Sequence, residues 1–355
     1  MPPPAPTHIG RYLLEQEIGR GGAGTVWRAR DPLLQREVAI KLLTGPMLGE
    51  ERDDTQRFLA EARAVARLVH QNIVVLYDYG TDVGCHWLAM QLVQGRSLSK
   101  AVSKDGPLTS ARTVEIARQI LRAIRYAHGQ HLLHRDVKSS NILLDDASGM
   151  SLLGDFGIAL LADTERLTTE GVALGTPEYM SPEQCQGYAL DERSDLYSLG
   201  VVLYECLAGK PPFLAEAPLA IAYKHVHETP SPIQRQDVPP ALMAVLRKAM
   251  AKRKEDRYAS AEAMLEALDQ VGDRKPTSAQ SAILPDNLRS GRDRRGPDRR
   301  NVERRRDSRR DNDSSFNESA GPARLPRWVL ATALAGLGLL LATFLLVAWF
   351  VVRHA

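Results

Sequence analysis

The residues best suited to chemistry lie in one short stretch, His134 to Leu144, which reads HRDVKSSNILL. Asp136, Lys138 and Asn141 put an acid, an amine and an amide in one loop, and Asp155 follows, flanked by Phe156 and Gly157, after the apolar run Ile142-Leu143-Leu144. Side chains of these types at this spacing suit phosphoryl transfer, in which positioning and charge neutralisation outweigh covalent work. One carboxylate, Asp136, can accept the proton of an attacking hydroxyl. The other, Asp155, helped by the Asn141 amide, can hold magnesium ions that bridge nucleotide phosphates.

Other elements must bring a nucleotide to this loop. From Tyr12 a strand pattern runs into Gly19, Gly21 and Gly24, a G-x-G-x-x-G spacing with Val26 two residues on. Glycines let a backbone approach phosphates closely, and Val26 can pack on a base. A dinucleotide-binding turn uses the same spacing but needs a helix straight after the glycines and an acid about 20 residues on. Here Thr25 to Arg30 is rich in β-formers and meets the turn pair Asp31-Pro32, so a strand–loop–strand hairpin fits better. Glu37 to Leu43 (EVAIKLL) is a further strand carrying Lys41. Phe58, Ala62, Val65 and Val69 recur at helical steps within 54–69, with Glu61 beside their stripe. Strands follow over 73–79 and 86–92, then a helix over 113–128 with apolar Val114, Ala117, Leu121 and Ile124, stopped by Gly129. The mostly apolar 194–213 reads as a buried helix stopped by Lys210 to Pro212, and 240–252 as one of several later helices.

These motifs together resemble the serine/threonine protein kinase family in its bacterial, eukaryotic-like form. The glycine loop, the V-A-I-K strand, a helix glutamate, HRDxKxxN, DFG and a closing GTPEYMSPE occur in family order from about Tyr12 to Leu268. The resemblance implies an α+β, two-lobed fold: a five-stranded antiparallel sheet with one helix (about 12–93), a larger helical lobe (about 94–272), and ATP in the cleft between.

It also implies roles for single residues. Ile18, Gly19, Gly21, Gly24, Val26 and Ala39 would enclose ATP, with Met90 behind the adenine and Gln91 to Val93 as the hinge. The hinge reads MQLV where relatives commonly carry a glutamate and an aromatic. Lys41, held by Glu61, would contact the α- and β-phosphates. Asn141 and Asp155 would hold Mg2+ or Mn2+, Asp136 would deprotonate the substrate hydroxyl, and Lys138 would steady the γ-phosphate. Lys138 after HRD points to serine and threonine acceptors in protein substrates. Ser181-Pro182-Glu183 stands where A-P-E is commoner. Arg135 would receive a phosphate on the preceding segment, with Thr168 and Thr169 as acceptors. Thr176 would have a structural role beside Asp136 and Lys138, Asp195 would anchor the catalytic-loop backbone, and Arg257 would pair with Glu183. A homodimer and a cognate phosphatase are further partners the family suggests.

Composition bounds what remains. The chain has 355 residues, 25% of them charged, and a net charge of only +3, so no global polyanion-binding signature exists. Cys85, Cys185 and Cys206 are too scattered for a zinc site or disulfide framework, and no HExxH spacing occurs among nine histidines. The Pro-rich 1–11 is expected to be a disordered tail. In the polar 273–327, eleven arginines face four acids between Arg289 and Arg310. A solvated spacer, a lipid-contacting basic cluster and a nucleic-acid binder remain open, the last weakened by interleaved acids and missing aromatics. Trp328 to Val352 is 25 residues without a charge, long enough to cross a hydrocarbon core of roughly 30 Å, with Trp328 and Trp349 near its ends. A single-pass transmembrane helix is expected, its arginine-rich side cytoplasmic, placing 353–355 outside a bacterial inner membrane. Two other readings of the main domain are a scaffold with the kinase fold and no chemistry, and a small-molecule phosphotransferase. The first usually lacks the lysine or one aspartate, all present here; the second usually lacks the activation segment.

Overall fold

In a computed structural model of the chain, the described residues are 8–21, 24–43, 52–82, 85–156 and 176–273. The chain divides into two units, Met1–Ile283 and Leu284–Ala355. The second lies outside the described residues, and with it the arginine-rich segment and the predicted membrane span over 328–352. Gly157, Thr164, Thr168 and Thr169 also fall outside. No helix among the described residues is long and apolar enough to cross a membrane.

The first half of the unit is dominated by one antiparallel sheet. Its strands are β1 (His8–Ile9), β2 (Tyr12–Gly21), β3 (Gly24–Asp31) and β4 (Arg36–Leu43), then, after helix α1 (Arg52–Ala66), β5 (Leu76–Asp82) and β6 (Cys85–Met90). The order across the sheet is β1-β2-β3-β4-β6-β5. The sheet thus has six strands rather than the expected five. His8 and Ile9 pair with Leu13 and Tyr12, and Ile9 is buried with Tyr12 and Trp87. The expected tail over 1–11 is therefore corrected at its end: burying an isoleucine against two aromatics repays ordering these residues.

The two faces of β4 have different tasks. Val38, Ile40 and Leu42 point one way, into a small core with Tyr12, Ala29, Trp87 and Ala89. Ala39, Lys41 and Leu43 alternate to the opposite face. Val26 pairs in register with Lys41, and Met90 with Ala39, so Val26, Ala39, Lys41 and Met90 share one face. Leu43 and Leu88 on that face belong to the main core, which α1 joins through Phe58, Ala62 and Val65.

The second half is helical, with a small sheet at its front. Strand β7 (Gly95–Ser97) and helices α2 (Leu98–Asp105) and α3 (Ser110–Gly129) precede β8 (Ile142–Asp145) and β9 (Ser151–Leu153), which pair in the order β7-β8-β9. Next come α4 (Pro182–Cys185), α5 (Glu192–Ala208), α6 (Pro218–His227), α7 (Pro240–Ala249) and α8 (Ala261–Asp273). Asp191 starts α5 by accepting the Arg193 N–H, and Gly209 ends it in the left-handed region at φ 79°. This stop precedes the expected Lys210 to Pro212. Every residue from Ser194 to Leu207 is buried, which makes α5 the rigid post behind the loop over 134–141.

Candidate active site

The glycine segment is a hairpin: Gly21 pairs with Gly24 and Gly19 with Val26 across β2 and β3. No helix follows the glycines, which excludes the dinucleotide-turn geometry. Gly24 has φ +135°, and a Cβ there would lie 1.9 Å from the Leu42 carbonyl oxygen. Its glycine is demanded by the neighbouring strand, a constraint unseen in the motif. A Cβ on Gly21 would meet nothing within 4 Å, which leaves that position open to an approaching ligand. At the sheet's other end Gln91 donates its N–H to the Val75 carbonyl at 2.9 Å.

Lys41 is 2.8 Å from Asp155 Oδ1. This corrects the expected Lys41–Glu61 pair. Glu61 instead stands 4.0 Å from the Arg135 guanidinium, with Oε2 buried and unpartnered. At 2.8 Å the Lys41–Asp155 contact is a charge-assisted pair that occupies the ammonium. Burial pushes the Glu61 carboxyl up to about 7, against the opposing charge of Arg135.

The catalytic loop hangs from one buried acid. Asp195 accepts the backbone N–H of His134 at 2.9 Å and of Arg135 at 2.8 Å, and its other partner is His128 Nε2 at 2.8 Å. Burial opposes its ionisation, but the His128 hydrogen bond and charge hold its pKa below the usual carboxylate value. These bonds also support a strained backbone, since Arg135 sits at φ +65°, a left-handed conformation costing a non-glycine residue about 1–2 kcal/mol.

His134 locks the next turn. Its Nε2 donates to the Gly154 carbonyl at 3.0 Å, and its Nδ1 accepts the Asp136 N–H at 3.2 Å. The accepting Nδ1 requires the neutral ring, and burial lowers its pKa accordingly. The ring also packs on Phe156 at 4.5 Å, so His134 joins the loop of Asp136 to the strand end carrying Asp155.

Asp136 is held from two sides. The Asn141 amide nitrogen donates to its carbonyl at 2.9 Å and to Oδ2 at 3.0 Å, and Lys138 Nζ is 2.8 Å from Oδ2. Lys138 also donates to Thr176 Oγ1 at 3.2 Å, which sets Thr176 beside the loop. Arg257 grips Glu183 with two bonds of 2.7 and 2.8 Å, and Ser194 adds a third at 2.6 Å. Burial alone would raise the Glu183 pKa, but the Arg257 and Ser194 bonds bring it to about 2.

The described residues at the predicted site therefore fall into two clusters. Val26, Ala39, Lys41 and Met90 line one sheet face, and Asp136, Lys138, Asn141 and Thr176 gather around the loop, with Asp155 joining the two through Lys41. Sequence reasoning missed His128, His134 as a brace, Ser139, Tyr179, Gln184 and Glu205. Each acts through a partner far away in the chain, and no spacing marks such contacts.

A family model described as "Protein kinase domain" matches residues 12–268. The serine/threonine-protein kinase PknB of Mycolicibacterium smegmatis is 40% identical over 287 residues, covering 78% of this chain and 46% of the relative. The serine/threonine-protein kinase pkn3 of Myxococcus xanthus is 40% identical over 274 residues, covering 74% and 50%. A probable serine/threonine-protein kinase of Clostridium acetobutylicum is 37% identical over 263 residues, covering 74% and 40%. The chain spans about half the length of the curated relatives it matches.

Proposed function

We propose that this chain, which belongs to the protein kinase domain family, is an ATP-dependent serine/threonine protein kinase of bacterial signal transduction. The observation that carries the reading is Asp136 pinned between the Asn141 amide and Lys138 on a loop suspended from Asp195. A fixed carboxylate beside a fixed cation is what hydroxyl activation and phosphoryl-charge stabilisation require.

The donor set fits a hard divalent cation. Asn141 spends its amide nitrogen on Asp136, which leaves its oxygen as the end suited to a cation. Asp155 adds a carboxylate, and magnesium is commonly bound by few protein oxygens plus substrate phosphates. When bound, Mg2+ or Mn2+ supplies charge neutralisation on the phosphates. Asp136 orients and takes the proton of the acceptor hydroxyl, Lys138 steadies the transferring group, and Lys41 leaves Asp155 to position the nucleotide. Gly21 leaves room for phosphates, and Val26, Ala39 and Met90 offer an apolar face to the base, with Ile18, Gln91 and Val93 at its margins.

Activation by autophosphorylation at Thr168 or Thr169 is the regulatory part of this reading, supported by Arg135, whose charge is held only loosely by Glu61. The uncharged 328–352 and the arginines before it support a membrane anchor over that stretch, with the kinase domain in the cytoplasm. Neighbouring copies on one membrane could then phosphorylate each other as a homodimer, with a phosphatase to reverse the mark.

The test uses the full chain with labelled ATP, Mg2+ and myelin basic protein, beside Asp136→Asn, with phosphosites mapped by mass spectrometry. Asp136-dependent label on serine and threonine is expected, including Thr168 or Thr169. ATP binding without any transfer would move the reading to a scaffold with the kinase fold. Association with vesicles that disappears on deleting 328–352 tests the anchor.

A further inference from the structure

Ser139 follows Lys138 directly and begins the short turn Ser139–Asn141 that aims Asn141 at Asp136. It is buried, and its Oγ lies 2.9 Å from the Tyr179 hydroxyl. Tyr179 donates to Glu205 Oε2 at 2.8 Å. A phenol has one proton, so with that proton on Glu205 the Ser139 hydroxyl donates to Tyr179. Glu205 stands on α5, the most enclosed helix of the fold, and is itself buried. Burial pushes its carboxyl up while the Tyr179 hydrogen bond pulls it down. The three groups form one polar chain in apolar surroundings, where each depends on the others for satisfaction.

The chain also bridges two segments. Tyr179 ends the turn Pro177–Tyr179, between Thr176, which holds Lys138, and the Ser181 capping box that opens α4. Gln184 adds a bond of 2.8 Å to the Arg135 carbonyl. The segment 176–181 therefore lies against the loop of Asp136, and Ser139 ties it to that loop and, through Tyr179, to α5.

We propose that the segment 176–181 is the wall a protein acceptor meets on its way to Asp136, and that Ser139 is a positioning residue for phosphoryl transfer to protein, holding that wall in register with Asp136 through Tyr179 and Glu205. The inference rests on the kinase reading above. Ser139 places the acceptor and does not hold the nucleotide, so its loss separates two reactions that share ATP and Asp136.

The experiment compares full-length wild type, Ser139→Ala, Tyr179→Phe and the double variant, measuring phosphorylation of myelin basic protein and slow ATP hydrolysis without a protein acceptor. Ser139→Ala should lose roughly five- to tenfold in protein phosphorylation, the fold-change one hydrogen bond is worth, and Tyr179→Phe, which removes the Glu205 bond as well, at least as much. Hydrolysis to water and the KM for ATP should stay unchanged. The double variant should lose no more than Tyr179→Phe alone, because that change already removes the link to Ser139. Equal loss in both reactions would overturn the proposal, since it would signal a distorted loop. Unchanged transfer, additive losses, or a lowered melting temperature without the split would overturn it as well. A wild type with no Asp136-dependent transfer would overturn the kinase reading and this inference together.

Discussion

Lys41 and Asp155 form an ion pair at 2.8 Å, while Glu61 stands 4.0 Å from Arg135. Two acids and two bases are thus cross-matched relative to the arrangement phosphoryl transfer needs, in which Lys41 serves the phosphates and Asp155 a cation. Turning to that arrangement breaks the Lys41–Asp155 pair. Arg135 holds Glu61 only at the outer limit of an ion pair, and Glu61 keeps a buried, unpartnered oxygen open to another cation.

Lys41→Met and Asp136→Asn should each lower protein phosphorylation by about 10²-fold or more, the size of a lost acid–base or charge-stabilising group. Both side chains are partly exposed and outside the packed core, so melting temperatures should stay within a few degrees of wild type, on the order of 1 kcal/mol. A radiolabel assay with parallel thermal melts checks this. Substantial activity in either purified variant would sink the catalytic assignment.

Glu61 should make stability depend on pH. Its pKa rises from 4.5 to about 7 on folding, so between these values the folded protein binds a proton that the unfolded chain releases. Stability therefore falls as pH rises through this window and stays lower above it. Glu61→Gln removes the dependence. The stability gap between variant and wild type should widen by about 1–3 kcal/mol from about pH 4 to about pH 8, read by urea denaturation. A constant gap would show that Glu61 ionises freely.

The Glu183–Arg257 pair behaves in the opposite sense. The Glu183 pKa falls from 4.5 to about 2, so its stabilisation is fully present above the upper value and is lost as pH drops through the lower one. Arg257→Met leaves a buried carboxylate unpaired and should cost about 3–5 kcal/mol at neutral pH. Calorimetry at neutral and acid pH would reveal the loss, and a near-neutral result would mean water replaces the guanidinium.

Asp195→Asn should damage both fold and activity. One acceptor oxygen becomes a donor facing the N–H of His134 or Arg135, at a cost of about 2–4 kcal/mol. The left-handed Arg135 then loses its support, and a small displacement of Asp136 should lower transfer tenfold or more. Thermal melts with steady-state kinetics check both effects. Loss of stability with full activity would show that the loop holds itself.

Legibility in the sequence followed how local the cause was. Asp136, Lys138 and Asn141 are legible as one cluster because they lie on one short loop, whereas Asp155 meets its partner Lys41 only in the fold. Strand alternation around Lys41 and the helical stripe of Phe58, Ala62 and Val65 were readable for the same reason: period and side-chain type carry them. The tertiary structure decided what depends on distant segments. Ile9 joins the sheet because Tyr12 and Trp87 cover it, and Gly24 must be glycine because Leu42 passes 1.9 Å from where a Cβ would stand. Lys41 meets Asp155 rather than Glu61, since the choice depends on how α1 lies against the loop. Ser139 finds Tyr179 and Glu205, 40 and 66 residues away, because burial makes separated polar groups answer to one another. Residue types and their spacing along the chain point to which chemistry the loop suits. Only packing decided which partners hold each group, because hydrogen bonds and ion pairs form across space and leave no period in the chain.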